Sequence, residues 1–334
     1  MRSDQKWTRR DFLKQSSLAL AASLVPQGLA QEPQQKQLDP SKILNYNPNM
    51  EYRILGKTGM IFSAVGLGGH SRSNLQERRR IIDRCIEVGI NFIDCSWGNE
   101  VIRDGTALKG RRDKMYLLVS HGAKEVRFPE YRTARKLLQS LDEILLRSGI
   151  EYADVWRITC FEPGGRHTFN TSCEIVEALT TAKRQGKARH IGFSSHDKRW
   201  IKFMIEYFPE IEVVLFPFTT MSKQAPKHSL FPALKKQNVG AIGIKPFAAG
   251  SLFTGNKEED MRRARLAIRY ILYTQTVLPI PGMNRIEEVD NVALAVKERK
   301  QFDVAELQQL QSINQYALAN LPSHYAWLQD WEYV

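Results

Sequence analysis

The run Ile90-Asn91-Phe92-Ile93-Asp94 reads as a short apolar strand that stops on an acid, a position from which enzymes commonly present a catalytic group. A second apolar run, Met115 to Ser120, is followed directly by His121. Imidazole titrates near neutrality and a neighbouring carboxylate favours its charged form, so His121 oriented by Asp94 can serve as a general acid. Each residue also has a plainer role open to it: Asp94 can cap the turn that follows it, and His121 can be a hydrogen-bonded structural residue. No tyrosine stands between Tyr52 and Tyr116. Trp97, three residues beyond Asp94, donates one N–H hydrogen bond but cannot release that proton at accessible pH.

Groups of this kind need parallel strands that all end on one face. Short strands are suggested at Ser63 to Leu67, Asn91 to Asp94, Met115 to Ser120, Asp154 to Thr159, Ala188 to Phe193, Val213 to Phe216, Gly240 to Ile244 and Val277 to Ile280. Helical patterns separate them, as in Tyr131 to Arg147 with apolar Leu137, Leu138, Leu141, Ile144 and Leu145. Eight such repeats predict an α/β protein, a (β/α)8 TIM barrel rather than an open doubly wound sheet, and no Gly-x-Gly-x-x-Gly follows the first strand. The two glycines of Tyr52-Arg53-Ile54-Leu55-Gly56-Lys57-Thr58-Gly59-Met60 predict an N-terminal β-hairpin that closes the barrel bottom. Beyond an eighth helix at Ile286 to Lys297 lies an amphipathic segment, Val304 to Gln315, and then a C-terminal tail with Tyr316, Tyr325, Trp327, Trp331 and Tyr333. Those aromatics read either as packing on the barrel's outside or as a flap bordering a pocket mouth.

The chain has 334 residues, 43% hydrophobic and 25% charged, enough for one barrel of roughly 250 residues plus extensions. Its formal charge is +12; residues 1–30 hold five basic side chains and two acids, leaving +9 spread over helices such as Met261-Arg262-Arg263-Ala264-Arg265. That dispersion predicts no nucleic-acid partner, with an anionic ligand as a lesser possibility. Thr8-Arg9-Arg10-Asp11-Phe12-Leu13-Lys14, the mildly apolar Ser17 to Val25 and the ending Gly28-Leu29-Ala30 match a twin-arginine export signal cleaved after Ala30. The expected partner is therefore the twin-arginine export machinery, and the expected location is the periplasm or cell exterior. The apolar run falls short of the ~20 residues of a bilayer span, so the mature form is expected to have no stable membrane span. Residues 31–50 read as a linker, 51–315 as the barrel and 316–334 as the aromatic tail. Cys85, Cys95, Cys160 and Cys173 lack Cys-x-x-Cys spacing, which predicts no metal site and no iron–sulfur cluster and favours packing roles.

Several separated motifs carry a resemblance to the aldo-keto reductase superfamily over about Glu51 to Lys297. They are Leu55-Gly56-Lys57-Thr58-Gly59 with Val65-Gly66-Leu67-Gly68-Gly69, Gly89 to Asp94, Gly186-Lys187-Ala188-Arg189-His190-Ile191-Gly192-Phe193-Ser194-Ser195-His196, Lys245-Pro246-Phe247-Ala248-Ala249-Gly250, and Ile280-Pro281-Gly282-Met283. The resemblance implies an NADP- or NAD-dependent carbonyl reductase with a small-molecule substrate and a Tyr, Lys, Asp and His tetrad. This chain keeps the Asp as Asp94, whereas the Tyr falls on Trp97 or Asn99, the Lys on His121 and the His on Thr159. The implied catalytic set is thus Asp94, Trp97, His121 and Thr159. For the cofactor, the resemblance places Ser194 and Ser195 at the nicotinamide carboxamide and Phe218 against its ring. Lys245, Ala249, Gly250, Ser251 and Leu252 fall on the pyrophosphate loop, where small residues let backbone N–H groups approach phosphate. Asn284, Arg285, Glu288 and Asn291 fall at the adenosine half.

Two readings follow. The first is an exported NAD(P)(H)-dependent oxidoreductase with a nonstandard site. The second, motivated by the three replaced tetrad residues, is a noncatalytic exported barrel that binds a ligand or partner.

Overall fold

The computed structural model describes residues 38–161, 167–274, 276–298 and 301–334; the expected export signal lies outside the described residues. Strand β1 (Tyr52–Ile54) pairs antiparallel with β2 (Ile61–Ser63) across a turn in which Gly59 takes φ 71°, forming the expected hairpin. Eight parallel strands follow in chain order: β3 (Leu67–Gly68), β4 (Phe92–Cys95), β5 (Tyr116–Val119), β6 (Ala153–Phe161), β7 (Ala188–Ser195), β8 (Val213–Pro217), β9 (Gly240–Ile244) and β10 (Val277–Pro279). The Gly66 and Gly68 N–H groups donate to the Pro279 and Pro281 carbonyls at 3.0 and 2.8 Å, joining the first strand to the last and closing a (β/α)8 barrel. A Cβ on Gly68 would stand 3.0 Å from the Pro281 carbonyl oxygen, so this seam favours glycine.

The expected first strand, Ser63 to Leu67, is corrected. Ser63 ends the hairpin, and the barrel strand begins only at Leu67. The cause is a polar staple: the Ser63 N–H donates to Asn91 Oδ1 at 2.8 Å, and the Asn91 N–H donates to Ser63 Oγ at 3.1 Å. The linker reading of residues 31–50 is also corrected for its described part. Ile43 and Met50 are buried in the core and the Asn47 amide donates to the Glu87 carbonyl at 2.9 Å, so these residues dock on the barrel.

Side chains in strands alternate between faces, and that alternation sorts the core into two clusters. Inside the barrel, Phe92, Leu118, Val155, Val213, Leu215, Ile242 and Leu278 form the bottom layer, plugged from the hairpin by Leu55 and Phe62. The Phe62 and Phe92 rings stack at 4.5 Å, and each fully buried phenylalanine contributes roughly 1.5–3 kcal/mol. Further along the strands comes the layer that faces the barrel mouth: Asp94, Arg157 and Thr159, Ser194 and Ile244. The outer cluster fills the space between strands and helices.

Helices α1 (Leu75–Glu87), α2 (Gly98–Ala107), α3 (Ala134–Ser148), α4 (Phe169–Arg184), α5 (Lys198–Tyr207), α6 (Phe231–Gln237), α7 (Lys257–Tyr273) and α8 (Ile286–Lys297) cover the strands. In α3 the buried Leu137, Leu141, Ile144 and Leu145 are part of the apolar stripe expected from the sequence, and the helix ends at Gly149 with φ 69°. The eighth helix spans Ile286–Lys297 as expected, and the amphipathic segment continues to Ala319 as α9 (Val304–Ala319). Among the described residues no helix is long and apolar enough to cross a membrane.

The tail does not hang on the outside. Its 3-10 helix, Ser323–Trp331, folds over the barrel mouth and is tied down behind by backbone bonds. Lys223 N–H donates to the Glu332 carbonyl at 2.7 Å and Val334 N–H donates to the Lys223 carbonyl at 2.9 Å. Trp331 is buried and stacked on Phe216.

Candidate active site

Asp94 and Arg157 form a buried two-point ion pair at the mouth of the barrel. Arg157 Nε donates to Asp94 Oδ1 at 2.7 Å and Nη2 donates to Oδ2 at 2.8 Å. The other N–H groups are used as well: Nη2 donates to Ser96 Oγ at 2.7 Å, and Nη1 to Thr159 Oγ1 at 2.8 Å and Ser194 Oγ at 3.3 Å. All five guanidinium protons thus have acceptors, which is what a side chain only 2% exposed requires. Burial pulls the Arg157 pKa down, but the Asp94 charge and hydrogen bonds outweigh it and hold it above the ordinary value.

Arg157 was not among the residues singled out from the sequence. It lies inside the expected strand Asp154 to Thr159, two positions before Thr159 and therefore on the same face. A charged residue at that phase of a buried strand was the available signal.

The expected pairing of Asp94 with His121 is corrected. Adjacent strand residues point to opposite faces, and Ser120 takes the inner one, leaving His121 on the helix side. His121 Nδ1 lies 3.2 Å from Ser140 Oγ on α3, and its ring packs against Gly98, where a Cβ would stand 2.5 Å away. Burial lowers the His121 pKa, partly offset by Glu143.

Behind the ion pair lies a second buried carboxyl, also unforeseen. Glu125 Oε2 accepts from Ser120 Oγ at 2.6 Å and from the Thr159 N–H at 2.6 Å, while Oε1 accepts from the His121 N–H at 2.9 Å. Burial pushes its pKa up against the pull of those three donors. Ser120 Oγ is 2.7 Å from Thr159 Oγ1, so a hydroxyl chain connects Glu125 to the layer facing the mouth.

Above this layer is a cavity of about 290 Å³. Arg157, Thr159, Ser194 and Ile244 line its floor; Trp97, Arg127, His196 and Lys245 line its walls; His324, Tyr325 and Trp327 of the tail form its roof. Of the tail aromatics read as a flap, Tyr325 and Trp327 border the cavity, joined by His324. Trp97 is the N-cap residue of α2, where Glu100 Oε2 accepts from the Ser96 and Trp97 N–H groups at 2.8 and 3.2 Å. The Arg127 guanidinium stands 5.2 Å over the Trp97 ring. His196 stacks on Trp327 at 4.2 Å, and its pKa is depressed well below the ordinary value, first by burial and then by Lys245 and Arg127.

The residues expected at a cofactor are placed as follows. Ser194 lines the cavity, whereas Ser195 is fully buried and accepts from the Asp197 N–H at 3.1 Å. Phe218 is fully buried between Phe216 and Phe231, so its expected stacking face is not turned to the cavity. Its N–H donates to the Ile244 carbonyl, extending the pairing of β8 with β9, and Ile244 is the side chain that reaches the opening.

In the segment after β9, Lys245, Ala248 and Ala249 all have φ between 47° and 57° and Gly250 has φ 91°. Left-handed backbone at three non-glycine residues costs of order 1–3 kcal/mol each and clusters at ligand-binding turns. The Ala248, Gly250 and Ser251 N–H groups nonetheless bond to carbonyls within the turn, and Leu252 is buried, so those three amides do not present themselves to phosphate as expected.

A second cleft, of about 390 Å³, brings together Asn284, Arg285, Glu288 and Asn291 with Phe247, Phe253 and Met283. Asn284 Oδ1 accepts from the Arg72 N–H at 3.0 Å, its own N–H donates to Glu288 Oε2 at 2.7 Å, and the Asn291 amide donates to the Met261 carbonyl at 2.8 Å. The β9 end therefore serves both openings, with Ile244 and Lys245 in the first and Phe247 in the second. Aromatic walls with Arg285 and Lys257 at the rim fit the adenosine end of a dinucleotide.

Among the described residues no group of three or more His, Cys, Asp or Glu could hold a metal ion. Cys85, Cys95 and Cys160 are buried thiols, and burial raises the pKa of each, to about 12 for Cys85.

Comparison with known proteins agrees with this fold. Residues 60–264 match the model of the aldo/keto reductase family. The chain is 28% identical over 272 residues to L-glyceraldehyde 3-phosphate reductase of Escherichia coli K12, covering 73% of this chain and 76% of that protein. It is 23% identical over 287 residues to L-galactose dehydrogenase of Arabidopsis thaliana, covering 75% and 89%. The fold superposes on the holo form of an aldo-keto reductase from Bacillus halodurans with a TM-score of 0.64 at 22% identity, covering 83% of this chain and 99% of the other. With the family model spanning more than half of its length, this chain belongs to the aldo/keto reductase family.

Proposed function

We propose that the protein is an exported NAD(P)(H)-dependent oxidoreductase that reduces a carbonyl compound, with a site in which a serine–threonine chain replaces the tyrosine. One observation carries this reading: the hydroxyl chain Thr159–Ser120–Glu125 ends at the floor of the cavity, beside the turn that serves both clefts. Members of the family generally use NAD(P)H. Arg285, Asn284 and Lys257 would hold the adenosine end of such a cofactor, which would supply a hydride to a carbonyl carbon. The protein's residues must then deliver one proton to the carbonyl oxygen.

Thr159 gives its hydroxyl proton to that oxygen; for its recharging Glu125 must carry a proton and Ser120 must turn its hydroxyl from Glu125 to Thr159, so that Ser120 passes its proton to Thr159 and takes that of Glu125, which solvent reprotonates after each turnover. Arg157 donates to Thr159 Oγ1 and so stabilises negative charge on that oxygen during the transfer. The Glu125 carboxylate left behind is held by the His121 and Thr159 N–H groups. Asp94 neutralises Arg157 and fixes its plane, and Ser194, which accepts from Arg157, keeps its own proton available at the cavity floor. Export through the twin-arginine route moves folded protein, which would let the chain carry out a cofactor bound beforehand.

The test is dinucleotide titration of the purified protein, followed by turnover on a panel of aldehydes and ketones. Saturable binding and turnover are expected. A second reading, a noncatalytic exported barrel, draws on the full use of Arg157 by the protein itself and on the absence of tyrosine between Tyr52 and Tyr116. Tight dinucleotide binding with no hydride transfer to any carbonyl would favour it.

A further inference from the structure

His70 lines the barrel-mouth cavity and takes no part in the chemistry described so far. Its Nδ1 bonds to Oε1 of Glu100, a buried carboxylate whose other oxygen is held by the Ser96 and Trp97 N–H groups. A carboxylate on Nδ1 fixes the neutral ring as the Nδ1–H tautomer and leaves the Nε2 lone pair as its basic atom. The backbone on either side of the ring is fixed as well: Arg103 Nη2 donates to the Gly69 carbonyl at 2.7 Å and Nη1 to the Ser71 carbonyl at 3.0 Å. Asp104 anchors that guanidinium together with the fully buried Arg78, which donates to the Gly68 carbonyl at 3.1 Å. A Cβ on residue 69 would stand 2.6 Å from Glu100 Oε2, so glycine there makes room for the carboxylate. A separate observation comes from Ser194 on the floor of the same cavity. Its Oγ accepts from Arg157 Nη1 at 3.3 Å, and its own proton goes to no described residue. Donation from a buried cation strengthens that hydroxyl as a donor in turn.

We propose that His70, positioned by Glu100, abstracts a proton from the carbon next to the carbonyl of a small aldehyde or ketone whose oxygen lies on the Ser194 hydroxyl. Nε2 takes the proton, the C–H electron pair becomes a C=C bond, and the carbonyl π pair moves to the oxygen, where the Ser194 O–H holds the enolate. Glu100 offsets the positive charge gained by the ring. The His70 side chain is 64% exposed, so its new proton exchanges with water before one returns to carbon. The sum is an exchange of hydrogen between substrate and solvent. No oxidant, reductant or dinucleotide enters it, so this activity goes beyond the reductase reading and does not depend on it. A cavity of about 290 Å³ admits a short-chain carbonyl compound.

The experiment follows the α-proton signals of hydroxyacetone and dihydroxyacetone by proton NMR in deuterated buffer, with the full chain and no added dinucleotide. Exchange faster than with the heat-denatured protein is expected. His70→Ala should slow it at least tenfold, and added imidazole should restore a measurable part, which a purely structural role of the ring would not allow. Glu100→Gln keeps an oxygen for the Ser96 and Trp97 N–H groups but turns an amide N–H toward Nδ1, so it should lose as much and gain nothing from imidazole. Ser194→Ala should also lose at least tenfold. Circular dichroism melts show which variants are folded, and His70→Ala, which removes a mostly exposed ring, decides the matter if Glu100→Gln is not. No exchange by the wild type, a folded His70→Ala as fast as the wild type, or a slow His70→Ala that imidazole does not restore would each overturn the proposal. Exchange by a wild type that reduces no carbonyl would support it while the reductase reading failed.

Discussion

Arg157 and Asp94, 63 residues apart in the chain, meet inside the barrel through two parallel hydrogen bonds of 2.7 and 2.8 Å with both side chains almost wholly buried. Removing one partner leaves the other charged and unpaired in a low-dielectric interior. Arg157→Met is therefore expected to destabilise the fold by about 3–5 kcal/mol. Adding Asp94→Asn to it should recover part of that loss, because the remaining group is then neutral. Urea unfolding of the wild type, the single and the double variants checks this; additive losses would contradict the pairing.

How much of this was visible in the chain itself differs from residue to residue. The strand positions were legible because runs such as Val213 to Phe216 and Gly240 to Ile244 are apolar and short, and the helix Ile286–Lys297 was legible to the residue. Asp94 was legible as a strand-end acid, and its partner was not, since only barrel closure brings β4 and β6 into register through β5. His121 was misplaced by one residue of strand phase, which sends Ser120 inward and the imidazole toward α3. Glu125 carries no sequence signal of burial: it sits in a polar stretch after the strand and becomes buried because Ser120, His121 and Thr159 all donate to it.

The placement of His121 behind the barrel makes a further prediction. His121→Ala should cost stability through the lost packing against Gly98 and Ser140, while carbonyl reduction stays within about threefold of wild type. Gly98→Ala should destabilise by about 1–3 kcal/mol, because the new methyl group meets the imidazole, and His121→Ala should relieve that clash. Thermal melts and steady-state rates on the same preparations decide it; a loss of turnover of a hundredfold or more in folded His121→Ala would return the imidazole to the chemistry.

Glu125 gives a pH signature. Its folded pKa is raised above the ordinary 4.5 by burial, so its contribution to stability is fully present below about pH 4.5 and is lost as pH rises through the folded value. Glu125→Gln should lower stability overall, by about 1–3 kcal/mol for mismatched donors, and remove this decline on the alkaline side. Stability curves by chemical denaturation at successive pH values test it, and identical slopes for the two proteins above pH 4.5 would count against a buried, raised carboxyl.

His196 has the opposite sign. Its folded pKa is depressed below 6.5, so stability is fully present above about pH 6.5 and falls as pH drops toward the folded value. His196→Gln should flatten the acid limb of the melting-temperature profile. The groups facing it are Lys245, Arg127 and the Trp327 ring, and an unchanged limb would mean that another group controls it.

The central claim, a dinucleotide-dependent reductase working without the family's tyrosine, is tested most directly by native mass spectrometry of protein exported from its own host. The account predicts a one-to-one complex with a mass increment matching NADP or NAD, lost on denaturation. A spectrum of bare polypeptide, joined by no binding of either dinucleotide to the same sample on titration, would contradict it.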